Sequence, residues 1–260
     1  MILPVVPTLT IKFLVWALAL MVFLRTLSQT WQPQPDAARR IGAPLLLGAI
    51  AGAKLVFLIN YPAVTLAVLD RDPQALLMLA GAGSAPGALL GGALALWLLN
   101  RRGPPGFTLD MLVVPTASAL CVLNCGAVFW ALSEPGFGLA TRVAWGMDFG
   151  DGIPRHPVML YEAAFLALVA WMHERLAGNE FAPGERAMLF VAGYCGLRVL
   201  FDYYRPPFGA PFLAEMMHPH PWIWGRVMTG EQWICVFAVL ALLPAWWRML
   251  RRLLATLMRN

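Results

Sequence analysis

The stretch IKFLVWALALMVFLRTLSQ, residues 11–29, decides the class of fold, because it is apolar over the length that an α-helix needs to cross a bilayer. Its two charged residues, Lys12 and Arg25, lie towards its ends. The residues before it are already apolar, and no small-residue cleavage site follows. We therefore interpret it as a retained helix and not as a signal peptide.

The rest of the chain has the same character. Of its 260 residues, 60% are hydrophobic and 13% are charged, whereas a soluble domain is nearer half apolar and a quarter charged. The net charge is +5, and the arginines flank apolar runs, as Arg101 and Arg102 do. That placement is typical of topology signals and lipid contacts. We expect an all-α, polytopic membrane protein with no nucleic-acid partner.

Windows of about twenty apolar residues predict seven transmembrane helices in a single integral membrane domain, residues 1–260. The predicted spans are 11–29, 42–60, 76–99, 109–132, 158–177, 186–204 and 231–248. The third window is interrupted by Gly81, Gly83, Pro86 and Gly87.

The basic residues predict the orientation of these spans. With the N-terminus outside, the cytoplasmic segments hold eleven lysines and arginines and the outer segments six, which follows the positive-inside rule. The C-terminus then lies inside. The long loops 133–157 and 205–230 face outward, and there we expect a site. Arginines recur at helical spacing in residues 246–260, which favours a segment lying along the inner membrane interface over the alternative, a simple extension of the last helix.

Four cysteines, Cys121, Cys125, Cys195 and Cys235, lie in apolar stretches and form no CxxC motif. We interpret them as small buried side chains. Two thiols one helical turn apart make a poor metal site, so the sequence predicts no metal.

The sixth predicted span carries charge inside an apolar window. Arg198 and Asp202 are four residues apart and share a helix face, with Tyr194 one turn before them and Arg205 shortly after. Either the pair neutralises itself so that the helix can insert, or the arginines form an anion site that grips phosphate oxygens. A phospholipid head group is the anion at hand. The residues leave both interpretations open.

The segment RHPVMLYEAA is the second candidate constellation. His156 and the proline after it open the predicted fifth helix, where proline is well accommodated. His156 is either an interfacial or capping residue or a base near neutral pH. Tyr161 and Glu162 follow it. A carboxylate inside a span needs a partner, and Lys54 or Arg198 would serve.

Five segments, in order, resemble motifs of the bacterial prolipoprotein diacylglyceryl transferases. HPVMLYEAA resembles the family's HPxxLYE motif, and YCGLRVLFDYYRPP resembles YGLFRxxxEFFRxPD. GAKLVFLINYP is similar to GARLxYVxFYNP, with Lys54 in place of the arginine. GSAPGALLGGALALWLLNRR is similar to SFHGGLLGGxxAxxLxxRR, and GLATRVAWGMDF to GRPTDLPWGxxF. The resemblance covers about residues 40–207, and the family's seven-helix, N-out topology agrees with the predicted one.

The resemblance implies a multi-pass protein of the bacterial plasma (inner) membrane that transfers a diacylglyceryl group from phosphatidylglycerol to the lipobox cysteine of a prolipoprotein. It implies no cofactor and no metal, and its partners are phosphatidylglycerol and a prolipoprotein signal peptide. The catalytic residues that it indicates are His156, Arg198 and Glu162. The residues that it assigns to the lipid phosphate are Arg198, Arg205, Arg142, Tyr194, Asp202, Tyr161 and Lys54.

The sequence departs from the family at several polar positions. The histidine of the family's HGG falls at Pro86, and the arginines of its GRIGNFINGELYGR fall at Ala127 and Leu139. Arg142, three residues further on, is the candidate substitute. Three hypotheses follow: an active transferase, a non-catalytic relative that binds phospholipid or lipoprotein, and a lipid-modifying enzyme or transporter with a different substrate.

Overall fold

A computed structural model describes residues 5–30, 35–60, 83–100, 108–130, 138–150, 152–175, 181–204 and 230–257. Within these ranges the chain forms seven α-helices. They are α1 Val5–Thr30, α2 Pro35–Asn60, α3 Ala85–Asn100, α4 Val113–Ala127, α5 Val158–Arg175, α6 Glu185–Asp202 and α7 Gly230–Leu257. Short 3-10 turns, Leu109–Leu112 and Val128–Trp130, extend α4 at both ends. Two short strands, β1 Met147–Asp148 and β2 Pro154–Arg155, pair antiparallel between α4 and α5.

The described helices confirm the all-α prediction, and each helix overlaps one predicted span. The third span differs at its start, because α3 begins at Ala85 and not near residue 76. The Ser84 hydroxyl accepts the N–H of Gly87 at 3.3 Å, and the Ser84 carbonyl accepts the N–H of Ala88 at 2.9 Å. Ser84 therefore caps the start of α3. Residues 76–82 lie outside the described residues.

Four of the helices are long and apolar enough to cross a membrane. These stretches are Thr10–Thr30, Ile41–Ile59, Leu109–Trp130 and Gln232–Arg251. By contrast, α3 has only 16 residues, and α5 and α6 carry charged side chains such as Glu162 and Arg198. Large apolar side chains on the outer surfaces, among them Leu14, Ile59 and Phe237, are exposed. Composition, helix length and apolar exposure together indicate a polytopic membrane protein.

The last helix corrects one prediction. We expected residues after 248 to form a separate segment along the membrane interface, but α7 continues without a break from Gly230 to Leu257. Pro244 lies inside it and does not end it. The expectation of a separate interfacial helix was wrong, because nothing in residues 246–257 stops the helical pattern.

Glycines let α2 and α3 pack with their backbones in contact. A Cβ on Gly52 would overlap the carbonyl oxygen of Gly87, and a Cβ on Gly91 would overlap that of Gly48. The GxxxG spacing on each helix places these four glycines along one seam. We call Gly48, Gly52, Gly87 and Gly91 the glycine seam.

The other helices pack in a chain of neighbours. α4 contacts both α1 and α5, and α6 contacts both α5 and α7. Gly126 of α4 lies against the side chain of Val15, where a Cβ would clash. At the junction of α4 and α6, the buried Asp110 carboxylate accepts the backbone N–H groups of Gly184 and Ala187, each at 2.7 Å. Asp110 thereby caps the N-terminus of α6 from another element.

Residues 138–150 and 152–156 lie at one end of the bundle, beside the end of α6 and the start of α5. Leu139 donates its backbone N–H to the carbonyl of Tyr204 at 2.6 Å and accepts the N–H of His156 at 3.0 Å. Gly138 donates to the carbonyl of His156 at 2.8 Å. These bonds join the end of α6 and the start of α5 through the loop. We call this end of the bundle the loop face.

Candidate functional site

The centre of the candidate site is an ion pair between α5 and α6. Nη1 of Arg198 donates to Oε1 of Glu162 at 2.8 Å and to Oε2 at 3.1 Å. The side chains are 13% and 4% exposed, respectively. A carboxylate and a guanidinium in this geometry form a strong charge-assisted hydrogen bond. Of the two partners that the sequence offered for Glu162, the structure gives it Arg198.

Asp202 approaches the same guanidinium from its other side. Its Oδ1 lies 3.4 Å from Nε of Arg198, one helical turn along α6, as the spacing of four residues predicts. The three side chains carry a formal net charge of −1. Two carboxylates thus fix the direction of the Arg198 guanidinium. Because the cluster is negatively charged, binding a phosphate beside it would require further cations nearby.

A second polar group lies at the start of α5. Nδ1 of His156 lies 3.1 Å from Oη of Tyr161, and Nε1 of Trp145 donates to the same oxygen at 2.8 Å. An indole N–H can only donate, so the Tyr161 oxygen accepts from Trp145 and keeps a second lone pair for an N–H of His156. In the tautomer that carries its proton on Nδ1, His156 donates to Tyr161 and Nε2 is left free to accept a proton.

Aromatic rings surround this group. The ring of Tyr204 lies 5.1 Å from that of His156, centroid to centroid and edge-on, and the ring of Phe201 lies 6.0 Å from that of Tyr161. Pro157 restricts His156 to extended backbone, and the Pro157 carbonyl accepts the N–H of Leu160 at 2.9 Å in the first turn of α5. The sequence around Pro157 therefore places the imidazole just before the start of α5, at the loop face.

The remaining predicted site residues are spread more widely. Tyr194 is buried on α6 and stacks on Phe190 at 6.2 Å. Lys54 lies half-buried on α2, whose main partner among the described helices is α3. Arg142 is exposed in the loop that covers the site. Arg205 lies outside the described residues.

The cysteines follow their prediction only in part. Cys195 and Cys235 are buried and Cys121 is half-buried, but Cys125 is exposed. The prediction that all four are buried was wrong for Cys125, because its position on α4 points away from the neighbouring helices. Within the described ranges, no group of three His, Cys, Asp or Glu side chains is placed to hold a metal ion.

Two residues near His156 were missed as site candidates. Trp145 belongs to the segment GLATRVAWGMDF, and Tyr204 lies within YCGLRVLFDYYRPP, but neither aromatic residue was singled out there. A signal was present, because a Trp N–H or a Tyr O–H usually finds a hydrogen-bond partner in a folded protein. Their contacts with Tyr161 and His156 depend on the folding of the loop, which spacing does not predict.

The chain matches known proteins over most of its length. The profile of the family described as "Prolipoprotein diacylglyceryl transferase" matches residues 6–248. The chain belongs to the prolipoprotein diacylglyceryl transferase family. It shares 31% identity with the phosphatidylglycerol–prolipoprotein diacylglyceryl transferase of Leptothrix cholodnii, over 80% of this chain and 76% of that protein.

Two further relatives carry the same name. The protein of Tolumonas auensis is 29% identical over 76% of this chain and 73% of its own length. That of Allorhizobium ampelinum is 30% identical over 62% of this chain. The chain thus spans 57% of the length of the Allorhizobium relative.

At three positions this chain has an apolar residue where the family motifs have an arginine or a histidine. Ala127 ends α4 and packs, half-buried, against Met159 of α5. Leu139 uses its backbone to join α5 and α6, as described above. Pro86 lies in the first turn of α3. Where the family motif carries two arginines, this chain therefore has apolar side chains beside the start of α5.

Proposed function

We propose that this protein transfers a diacylglyceryl group from phosphatidylglycerol to the lipobox cysteine of a prolipoprotein in the bacterial plasma membrane. Family membership supports the reaction class. The single observation that carries the proposal is the Arg198 guanidinium, which lies largely covered between α5 and α6 and is held by Glu162 and Asp202. A cation fixed in this way is suited to a phosphate leaving group, because it needs no reorganisation when charge develops.

The proposed reaction uses few protein groups. The cysteine sulfur of the prolipoprotein attacks the glyceryl carbon, a thioether forms, and the carbon–oxygen bond to phosphate breaks, so glycerol phosphate leaves. His156 takes up the thiol proton, with Tyr161 and Trp145 holding the imidazole. Arg198, together with Arg205 and Arg142, stabilises the leaving phosphate.

The membrane supplies the substrate laterally. We propose that the N-terminus and the loop face lie outside and the C-terminus inside, so that the site opens towards the outer leaflet. Phosphatidylglycerol then reaches Arg198 between the helices, and the signal peptide of the prolipoprotein presents its cysteine at the same end. No cofactor takes part in this scheme.

Complementation tests the proposal. The chain is expressed in cells depleted of their own prolipoprotein diacylglyceryl transferase, and a reporter prolipoprotein is followed by gel shift and mass. We expect the reporter to gain one diacylglyceryl group. Arg198→Ala should lower the rate roughly 10²–10³-fold, as loss of one transition-state donor does. Arg175→Ala, at the opposite end of α5, is the matched control and should leave the rate unchanged. An unmodified reporter beside wild-type levels of membrane-inserted protein contradicts the proposal.

A second candidate function is phospholipid or lipoprotein binding without catalysis. Ala127 and Leu139, apolar where the family motif has arginines, favour it. The discriminating variant is Arg142→Ala: an enzyme that relies on Arg142 loses turnover, whereas a binding protein has no turnover to lose. Lipid extracted from the purified protein completes the comparison, since a head group other than phosphoglycerol would favour a lipid-modifying enzyme or transporter with a different substrate.

A further inference from the structure

Lys12 is a charged side chain buried in the apolar helix α1. It is 7% exposed, although moving an ammonium group out of water is costly unless its new surroundings compensate. Its Nζ lies 5.9 Å from the ring centroid of Trp16 and 5.9 Å from that of Trp130. Both distances fall within the range of a cation–π attraction. The ammonium group is therefore held between a ring of its own helix and a ring at the end of α4.

The packing of α1 on α4 places Lys12 at the loop face. Val15 lies against Gly126, and one helical turn further out Lys12 meets Trp130. Trp130 ends the 3-10 turn that follows α4, on the side of the bundle where His156 opens α5. Lys12 thus adds a positive charge to the end of the bundle at which the Arg198 cluster is formally negative.

The chemistry of this arrangement favours a phosphate ligand. An aromatic face attracts the charge of an ammonium group, but the three N–H donors of lysine bond most strongly to oxyanions. At the end of a transmembrane helix, the anion that the membrane supplies is the phosphodiester of a phospholipid head group. Trp16 and Trp130 hold the ammonium in place, and indole rings are favoured at the level of the head groups.

We propose that Lys12, flanked by Trp16 and Trp130, binds the phosphodiester of phosphatidylglycerol at the junction of α1 and α4. The inference rests on the proposed function only in taking this lipid to be the donor substrate. Ala127 lies three residues before Trp130, so Lys12 restores a positive charge close to where the resemblance lacks an arginine.

Lipid selectivity tests the site without requiring turnover. The purified chain is equilibrated in equal mixtures of phosphatidylglycerol and phosphatidylcholine, and bound lipid is counted by native mass spectrometry. Lys12→Met should lower the preference for phosphatidylglycerol about tenfold, the effect of one lost charge-assisted contact. Lys12→Arg should keep it. Arg251→Met is the matched control, because Arg251 also lies over a tryptophan ring, at 4.9 Å from Trp247, near the other end of the bundle. An unchanged preference in Lys12→Met overturns the proposal.

A measurement on the unmodified chain covers the case in which Lys12→Met does not fold. The sequence contains two lysines, Lys12 and Lys54, so reductive dimethylation can be followed at each by mass. We expect phosphatidylglycerol bilayers to slow labelling of Lys12 at least several-fold relative to phosphatidylcholine bilayers, with a smaller effect at Lys54. Equal rates at Lys12 in the two lipids would refute the site. Added glycerol phosphate separates the sources of the anion, since protection by the soluble ion alone would contradict a lipid ligand.

The two proposals fail in different ways. If the chain selects phosphatidylglycerol through Lys12 but modifies no prolipoprotein, the transferase activity fails and the lipid site stands. If it modifies the reporter while Lys12→Met leaves lipid preference and the KM for phosphatidylglycerol unchanged, the activity stands and the lipid site fails.

Discussion

Glu162 and Asp202 contact the same guanidinium at different distances, 2.8 and 3.4 Å, and this difference predicts unequal effects on stability. Glu162→Ala leaves Arg198 buried without its nearest carboxylate, which we expect to lower the free energy of unfolding by about 3–5 kcal/mol. Asp202→Asn, which keeps an oxygen acceptor, should lower it by about 1 kcal/mol. Unfolding in mixed detergent micelles, followed by tryptophan fluorescence, measures both. Equal losses would contradict the assignment of Glu162 as the principal partner.

Tyr161 joins Trp145 and His156 through one oxygen. Tyr161→Phe removes that oxygen and keeps the ring, so the imidazole loses its hydrogen bond but not its packing. If His156 accepts the thiol proton, the rate of lipoprotein modification should fall about tenfold, the equivalent of one hydrogen bond. Tyr204→Phe is the matched control, since its ring packs on His156. A Tyr161→Phe variant with the wild-type rate would remove Tyr161 from the mechanism.

For individual residues, the sequence predicted contacts within one helix better than contacts between helices. Arg198 and Asp202 are four residues apart, so helical periodicity brings them together. Glu162 and Arg198 meet because α5 packs on α6, and two partners for Glu162 were open from the sequence. Trp145 reaches Tyr161 only because residues 138–150 fold back to the start of α5. Residue spacing therefore predicts the contact between Arg198 and Asp202, but it does not predict how Glu162 meets Arg198 or how Trp145 meets Tyr161.

Among the helices, the glycine seam makes a prediction with a neighbouring control. Gly91→Ala places a methyl group against the backbone of Gly48 and Gly52, so α2 and α3 must separate. At Gly92 the nearest atom to an added Cβ is Cδ1 of Leu45, at an ordinary 3.5 Å. We expect Gly91→Ala to lower the free energy of unfolding by about 1–3 kcal/mol, and Gly92→Ala to be neutral or stabilising by up to about 1 kcal/mol.

Unfolding curves for the two variants under one detergent condition provide the comparison. If Gly91→Ala and Gly92→Ala behave alike, the two helices do not pack through Gly91. Loss of stability at Gly92 alone would instead indicate that α3 is rotated from its described position.

The cap of α6 gives a second prediction for an element. Asp110 is buried and accepts two backbone N–H groups of the α6 start, so Asp110→Ala leaves them without that acceptor. We expect a loss of about 1–2 kcal/mol and faster hydrogen exchange at Gly184 and Ala187. Asp148 accepts the N–H groups of Gly150 and Gly152 in an exposed turn. Asp148→Ala is therefore the control, and it should cost less because water replaces the carboxylate.

Helix boundaries show where sequence patterns were sufficient. Every predicted span agrees closely with a helix at its start or at its end, because long apolar runs define these bounds. The start of α3 depends on a hydroxyl cap at Ser84, and hydropathy does not contain that signal. The continuation of α7 past residue 248 follows from an unbroken helical pattern that we had assigned to a different segment.

The whole bundle predicts an orientation that can be measured. With seven spans, the two termini lie on opposite sides, and the loop face carries Arg142 while the far end of α5 carries Arg175. In a background without native cysteines, we expect Arg142→Cys to react with a membrane-impermeant maleimide in intact cells. Arg175→Cys should react only after permeabilisation. The reverse pattern would contradict the N-out topology.

Labelling of both positions in intact cells would mean that fewer than seven helices cross the bilayer. Among the described residues, four helices satisfy the length and hydropathy of a span on their own. If α5 and α6 also cross the bilayer, as the seven-span prediction requires, the ion pair between Glu162 and Arg198 lowers the cost of inserting their charges.

The glycine seam has a consequence for how the bundle holds together in lipid. At each of the four glycines, a carbonyl oxygen of the opposite helix lies where a Cβ would be, so the hydrogen in that position faces the oxygen, the arrangement of a weak Cα–H···O contact. Such contacts do not depend on the exclusion of water, which drives association in soluble proteins but not between helices in a bilayer. Close backbone approach therefore contributes to the cohesion of the α2–α3 pair, and this contribution should persist when lipid is exchanged for detergent.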